Sequence, residues 1–176
     1  GSGLGEGTAI GLAERGHDVI AACQISPQVA ALRDKAAGLG LKNLRVEKLD
    51  LLDPYDLSYA QTWGDVDVLL NNAGIGESGP ASEIPVDLVR KNFETNVFAP
   101  LALTQGFIRK WIAAKRPGKI VFTSSMGGLF TPPGYGVYVS TKHALEALAE
   151  AMQQELEPFG IQVQTINPGA YLTGYN

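Results

Sequence analysis

The chain has 176 residues, 45% of them apolar, and a net charge of -4, which suits one domain with a sizeable core. Its 14 basic and 18 acidic residues are interspersed, without the concentrated Lys/Arg patch that nucleic acid requires, which speaks against a nucleic-acid role. Cys23 is the only cysteine, so no intramolecular disulfide can form, and with no signal peptide or membrane-crossing apolar run the expected setting is reducing and cytoplasmic.

The chain opens on a glycine-rich turn, Gly1-Ser2-Gly3-Leu4-Gly5-Glu6-Gly7, which leads into a predicted helix over 5–15. Strands are then predicted over 19–24, 44–49, 66–70, 119–123 and 161–166. They alternate with helices over 27–39, 55–63, 86–114 and 137–159, and Gly or Pro stands near several of the joins. Short β-branched runs alternating with longer helical patterns predict an α/β fold, a Rossmann-like doubly wound parallel sheet with helices on both faces. Residues 1–176 read as a single domain with no repeat, linker or low-complexity tract. Two absences are expected: the strand that normally precedes such a glycine turn, and the continuation of the sheet beyond Tyr175-Asn176.

Glycines in the opening turn let the backbone approach a pyrophosphate, whose charge is met by amide N–H groups at a helix N-terminus. The spacing is not G-x-G-x-x-G. Further on, Tyr138-Val139-Ser140-Thr141-Lys142 sets a phenol and an ammonium four residues apart on one helical face. A free tyrosine has a pKa of roughly 10, and a neighbouring cation favours its phenolate, which suits general acid or base work. Ser125 stands thirteen residues before Tyr138.

Together these segments resemble the short-chain dehydrogenase/reductase family over nearly the whole chain. The glycines suit that family's G-x-x-x-G-x-G spacing in two registers, Gly1/Gly5/Gly7 or Gly3/Gly5 with the first glycine before residue 1. The second is preferred because Gly16 stands eleven residues after Gly5, as the family's helix-ending glycine does. Leu49-Asp50-Leu51 resembles the adenine-binding aspartate segment, and Asn71-Asn72-Ala73-Gly74 resembles the Asn-Asn-Ala-Gly turn. Asn96 matches the helix asparagine of a catalytic tetrad whose other members would be Ser125, Tyr138 and Lys142. Asn167-Pro168-Gly169-Ala170-Tyr171-Leu172-Thr173 resembles the Pro-Gly-x-x-x-Thr turn that reaches the nicotinamide carboxamide.

The resemblance implies an NAD(P)-dependent oxidoreductase acting on a carbonyl or secondary alcohol. Tyr138 would be the acid/base, Lys142 would lower its pKa, Ser125 would orient the carbonyl and Asn96 would support a proton relay. Ser2, Gly3, Leu4, Gly5, Gln24, Asp50, Leu51, Asn72, Ala73, Gly74, Tyr138, Lys142, Pro168, Gly169 and Thr173 would hold the cofactor. Cys23 falls where an NAD-selecting acid would stand and Gln24 where a basic residue often does, which favours NADP. Met126, Gly127, Leu129, Phe130, Pro133 and Tyr135 suggest an apolar wall beside Ser125 and hence a hydrophobic ketone or alcohol. A homodimer or homotetramer is implied by the family alone.

Simpler readings stand beside these. Asn71 and Asn96 could be caps; Asp50, Asp53 and Pro54 could build a turn and start a helix. His17 and His143 read as surface residues with no metal site. On the last helix, Ala144, Leu145, Leu148, Ala149 and Met152 form the expected buried stripe, and Glu155, Glu157 and the other charges its solvated face. Other activities to weigh are an epimerase or dehydratase of the extended family, and a cofactor-binding scaffold or sensor without catalysis.

Overall fold

In the computed structural model the described residues are 2–171. They form two compact units, one of residues 2–60 with 170–171, the other of residues 61–169. Among the described residues no helix is long and apolar enough to cross a membrane.

The first unit runs α1 (Gly3–Glu14), β1 (Val19–Cys23), α2 (Ser26–Gly38), β2 (Leu44–Lys48) and α3 (Pro54–Ala60). The two strands are parallel, with Val19 opposite Leu44 and Cys23 opposite Lys48. Val29, Leu32 and Ala36 recur at helical spacing along α2 and pack with Ala9, Ala13, Cys23, Leu44 and Val46 into one buried cluster, as an amphipathic crossover requires. Two side chains fasten the helices to the strands. Arg33 donates through both Nε and Nη2 to the Val46 carbonyl, at 3.1 and 2.6 Å, and Asn43 Nδ2 donates to the carbonyls of Ala13 and His17 at 2.8 and 2.7 Å. Past the end of α1, Gly16 takes φ +87° and donates its N–H to Ala13 at 2.9 Å. That left-handed step suits glycine, which has no Cβ to clash.

The second unit runs β3 (Val68–Asn71), α4 (Val86–Phe93), a π-helical turn (Glu94–Phe98) and α5 (Ala99–Ala113). It continues with β4 (Gly118–Thr123), a short 3-10 turn (Met126–Gly128), α6 (Gly136–Leu156) and β5 (Ile161–Ile166). β4 lies between the other two strands, parallel to both, with Asn71 opposite Phe122 and Thr123 opposite Ile166. Ile120 and Phe122 of β4, Ile161 and Val163 of β5, Phe107 and Trp111 of α5, and Leu145, Ala149 and Met152 of α6 are buried. Of the stripe expected on the last helix, Leu145, Ala149 and Met152 are buried while Ala144 and Leu148 are half-buried, and Glu155 and Glu157 are exposed.

The described strands pair as two sets, β1-β2 and β3-β4-β5, parallel within each, as the α/β Rossmann-like reading expects. One expectation needs correction. The helix expected unbroken over 86–114 is interrupted at Glu94–Phe98. Pro100 accounts for the break: in an unbroken α-helix it would offer no N–H to the Asn96 carbonyl four residues earlier and its ring would crowd that carbonyl, a conflict that a π-turn avoids.

Candidate active site

Three loops leave the carboxyl ends of the three adjacent strands of the second unit. Asn72-Ala73-Gly74 follows β3, Ser124–Gly128 follows β4 and Asn167-Pro168-Gly169 follows β5. Parallel α/β sheets bind their ligands at this edge. Main-chain bonds join the last two loops, Ser124 N–H donating to the Ile166 carbonyl at 2.8 Å and Met126 N–H to that of Pro168 at 3.1 Å. Gly169 packs beside the Met126 thioether.

α6 contributes Tyr138 and Lys142 one turn apart. Lys142 is buried, its ammonium 5.6 Å from the centroid of the Tyr138 ring and donating to the Thr123 carbonyl at 2.8 Å. Burial pushes its pKa down from 10.5 to about 8, while the Glu146 carboxylate acts in the opposite direction. The backbone comes close here: a Cβ on Gly74 would lie 3.3 Å from Asn96 Oδ1 and 3.6 Å from Lys142 Nζ. Glycine thus keeps the loop after β3 tight against both groups.

Asn96, in the π-turn, is 1% exposed and fully engaged. Its Oδ1 accepts from Ile75 N–H at 2.8 Å, and its Nδ2 donates to the Ile75 carbonyl at 2.8 Å and to Thr141 Oγ1 at 3.0 Å. It therefore splices the loop after β3 to α6. Asn71 Nδ2 donates to Thr104 Oγ1 at 2.9 Å, tying the end of β3 to α5, and Thr123 Oγ1 donates to Asn72 Oδ1 at 3.3 Å, tying the loop after β3 to the end of β4.

Ser125 caps the 3-10 turn, its Oγ accepting from Gly127 N–H at 3.1 Å. A Cβ on Gly127 would lie 3.5 Å from that Oγ and 3.8 Å from Tyr138 Cε1, so the serine hydroxyl and the tyrosine ring flank one glycine. Both residues are half-buried, whereas Ser124 is buried with its hydroxyl turned toward Gly128. Beyond Ser125, the apolar side chains of Met126, Leu129, Phe130 and Tyr135 are 45 to 68% exposed.

In the first unit Ser2 stands at the N-cap of α1 with extended backbone and no side-chain cap. Gly3 takes φ +61°, and Leu4 and Gly5 lie in the first helical turn, which begins two residues earlier than the spacing suggests. A Cβ on Gly7 would meet nothing within 4 Å. Uncapped first-turn amides and bare backbone suit a phosphate group, so these residues fit a dinucleotide. Gln24 is exposed just after β1, and Cys23 is buried at 2% exposure. Asp50 is occupied locally, its Oδ1 accepting from Leu52 N–H at 3.0 Å while Asp56 Oδ2 accepts from its N–H at 2.8 Å. It builds the turn into α3, with Leu51 inside that turn. Thr173 lies outside the described residues.

Glu146 went unrecognised among charges expected on a solvated helix face. It is half-buried, and its Oε1 accepts from Asn167 Nδ2 at 2.6 Å; the same Nδ2 donates to the Ser125 carbonyl at 3.0 Å. The signal was available: Glu146 stands four residues after Lys142, on the same helical face. His17 and His143 are exposed, and among the described residues no group of three or more His, Cys, Asp and Glu could hold a metal. A recess lined by Val66, Lys110, Trp111 and Arg116 lies near the start of β3, away from these loops.

The family model for short chain dehydrogenases matches residues 1–176. The oxidoreductase YusZ of Bacillus subtilis (strain 168) is 34% identical over 98% of this chain and 62% of its own length. An NADPH-dependent 3-dehydrocapnine reductase of Ornithobacterium rhinotracheale is 40% identical over 60% of this chain and 38% of its own. Among solved structures, acetoin dehydrogenase YohF of Salmonella typhimurium superposes with a TM-score of 0.87 at 29% identity, covering 99% of this chain and 71% of that one. The chain belongs to the short-chain dehydrogenase/reductase family. It spans about three fifths of the length of YusZ and less of the capnine reductase.

Proposed function

We propose that the chain carries the catalytic site of an NAD(P)-dependent oxidoreductase that interconverts a hydrophobic ketone and its secondary alcohol. The observation that carries this reading is a buried lysine beside a tyrosine, with a serine hydroxyl across one glycine from the same ring. The nicotinamide supplies the hydride when bound. In the reducing direction Ser125 Oγ donates to the carbonyl oxygen, and the Tyr138 hydroxyl gives its proton to that oxygen as the alkoxide forms. The Lys142 ammonium stabilises the phenolate left behind. Asn96 holds the loop after β3 against α6, which keeps Lys142 and Gly74 in register.

Two finer points belong to the same reading. The apolar surface at Met126, Leu129, Phe130 and Tyr135 supports a hydrophobic substrate. NADP is favoured because no acid stands at the end of β1, where Cys23 is buried and Gln24 exposed, so nothing there repels a ribose phosphate; the capnine reductase to which the chain is similar is NADPH-dependent. The test is titration with NADPH and NADH, followed by a panel of ketones monitored by nicotinamide absorbance. One reduced cofactor should bind and be oxidised with an apolar ketone, and Tyr138→Phe should abolish turnover while retaining cofactor affinity. Binding without turnover by the unaltered chain would point instead to a cofactor-binding scaffold.

A further inference from the structure

The loop that carries Ser125 does not hold itself in place. Its main chain is tied to the loop after β5 at Ser124 and Met126, and the Ser125 carbonyl takes a third bond, from Asn167 Nδ2 at 3.0 Å. Asn167 is in turn gripped by the Glu146 carboxylate at 2.6 Å. The contact with Gly128 is equally close, since a Cβ there would lie 2.9 Å from Glu146 Oε1 and 2.6 Å from Ser124 Oγ. Glu146 thus meets the Ser125 loop at both ends. It also stands one turn beyond Lys142 and two beyond Tyr138, so three residues at four-residue spacing share one face of α6.

The geometry points to Glu146 as a positioning residue, which ties the Ser125 loop through the Asn167 amide to the helix that bears Tyr138 and Lys142. The assignment rests on the catalytic reading above. A carboxylate suits the task better than a neutral acceptor, because a charge-assisted bond is shorter and roughly twice as strong. Its charge has a second effect, acting on the Lys142 ammonium against the cost of burial. Among the described residues no other charged side chain is coupled to that ammonium. β5 and the 126–128 turn carry no titratable group, and Asp87, Lys91 and Glu94 on α4 and the π-turn are exposed, as is Arg90, which pairs with Asp87.

Glu146→Ala and Glu146→Gln separate these effects. The alanine variant should lower kcat by about tenfold, the worth of one charge-assisted bond, with cofactor affinity unchanged. The glutamine variant, which still offers Asn167 an oxygen, should recover most of kcat near neutral pH. It should also lose activity at a lower pH than the wild type as the solution is made alkaline, because Lys142 then sheds its proton earlier. Amide hydrogen exchange supplies a readout independent of turnover. In Glu146→Ala the N–H groups of Met126 and Gly128 should exchange about tenfold faster, while those of Ile120 and Phe122 stay protected. Unchanged exchange at Met126 and Gly128 would overturn the assignment whether or not the chain is active. So would uniformly faster exchange across β4, or an alkaline limb in Glu146→Gln that coincides with the wild type. A wild type that turns over no ketone would count against the catalytic reading alone.

Discussion

Lys142 is a buried charge held at a cost to the fold. An ammonium kept at 4% exposure with its pKa depressed from 10.5 to about 8 costs on the order of 3 kcal/mol relative to the unfolded chain at neutral pH. For a base whose folded pKa is lowered, that cost is fully present below about pH 8 and fades as pH rises toward 10.5, where the unfolded lysine also loses its proton. Lys142→Met removes it but also removes the bond to the Thr123 carbonyl, worth about 1 kcal/mol. The variant should therefore be inactive yet more stable at pH 7, by about 1–2 kcal/mol, with the advantage shrinking by pH 9.5. Urea unfolding at the two pH values checks this; a variant less stable at pH 7 would contradict it.

At the scale of elements, the π-turn is the joint on which the site hangs. It presents Asn96 to both Ile75 and Thr141, so one side chain satisfies the N–H and C=O of the loop after β3 and a hydroxyl of α6. Asn96→Ala leaves those groups without their partner, at roughly 1–3 kcal/mol for each that stays dry. A loss of about 2–4 kcal/mol in unfolding free energy is expected, with helical circular dichroism retained; a loss under 1 kcal/mol would show that water replaces the amide. Neither the joint nor its partners were legible in the sequence, because the helical period continues through residues 86–114 and only Pro100 hints at a break. The strands were legible to within two residues, since β-branched runs bounded by Gly and Pro leave little choice. Tyr138, Lys142 and Ser125 were singled out by their spacing together with the family resemblance, since a Tyr and a Lys four apart on a helix carry little by themselves. Glu146 was not, because a glutamate amid other exposed charges on a helix looks solvated until the loop that covers it is known. The sequence left Asp50 open between a ligand contact and a turn; its local hydrogen bonds make the turn role visible.

At the scale of the whole molecule, each unit pairs its own strands, and the second does so about a central strand. β4 is bonded on both sides along its length, whereas among the described residues β1 and β2 pair only with each other. In amide exchange, Ile120, Val121 and Phe122 should be the slowest positions of the second unit, and the β1-β2 amides should open separately and sooner. A single common rate would mean that the two units unfold as one. The placement of β4 also bears on heredity. All three site loops spring from the strand ends that β4 aligns, so a change at Ile120 or Phe122, both buried, would shift the loops bearing Ser125 and Gly74 together. Viewed through alleles, the sheet is itself a target, because one change at a buried β4 position would disturb all three loops at once.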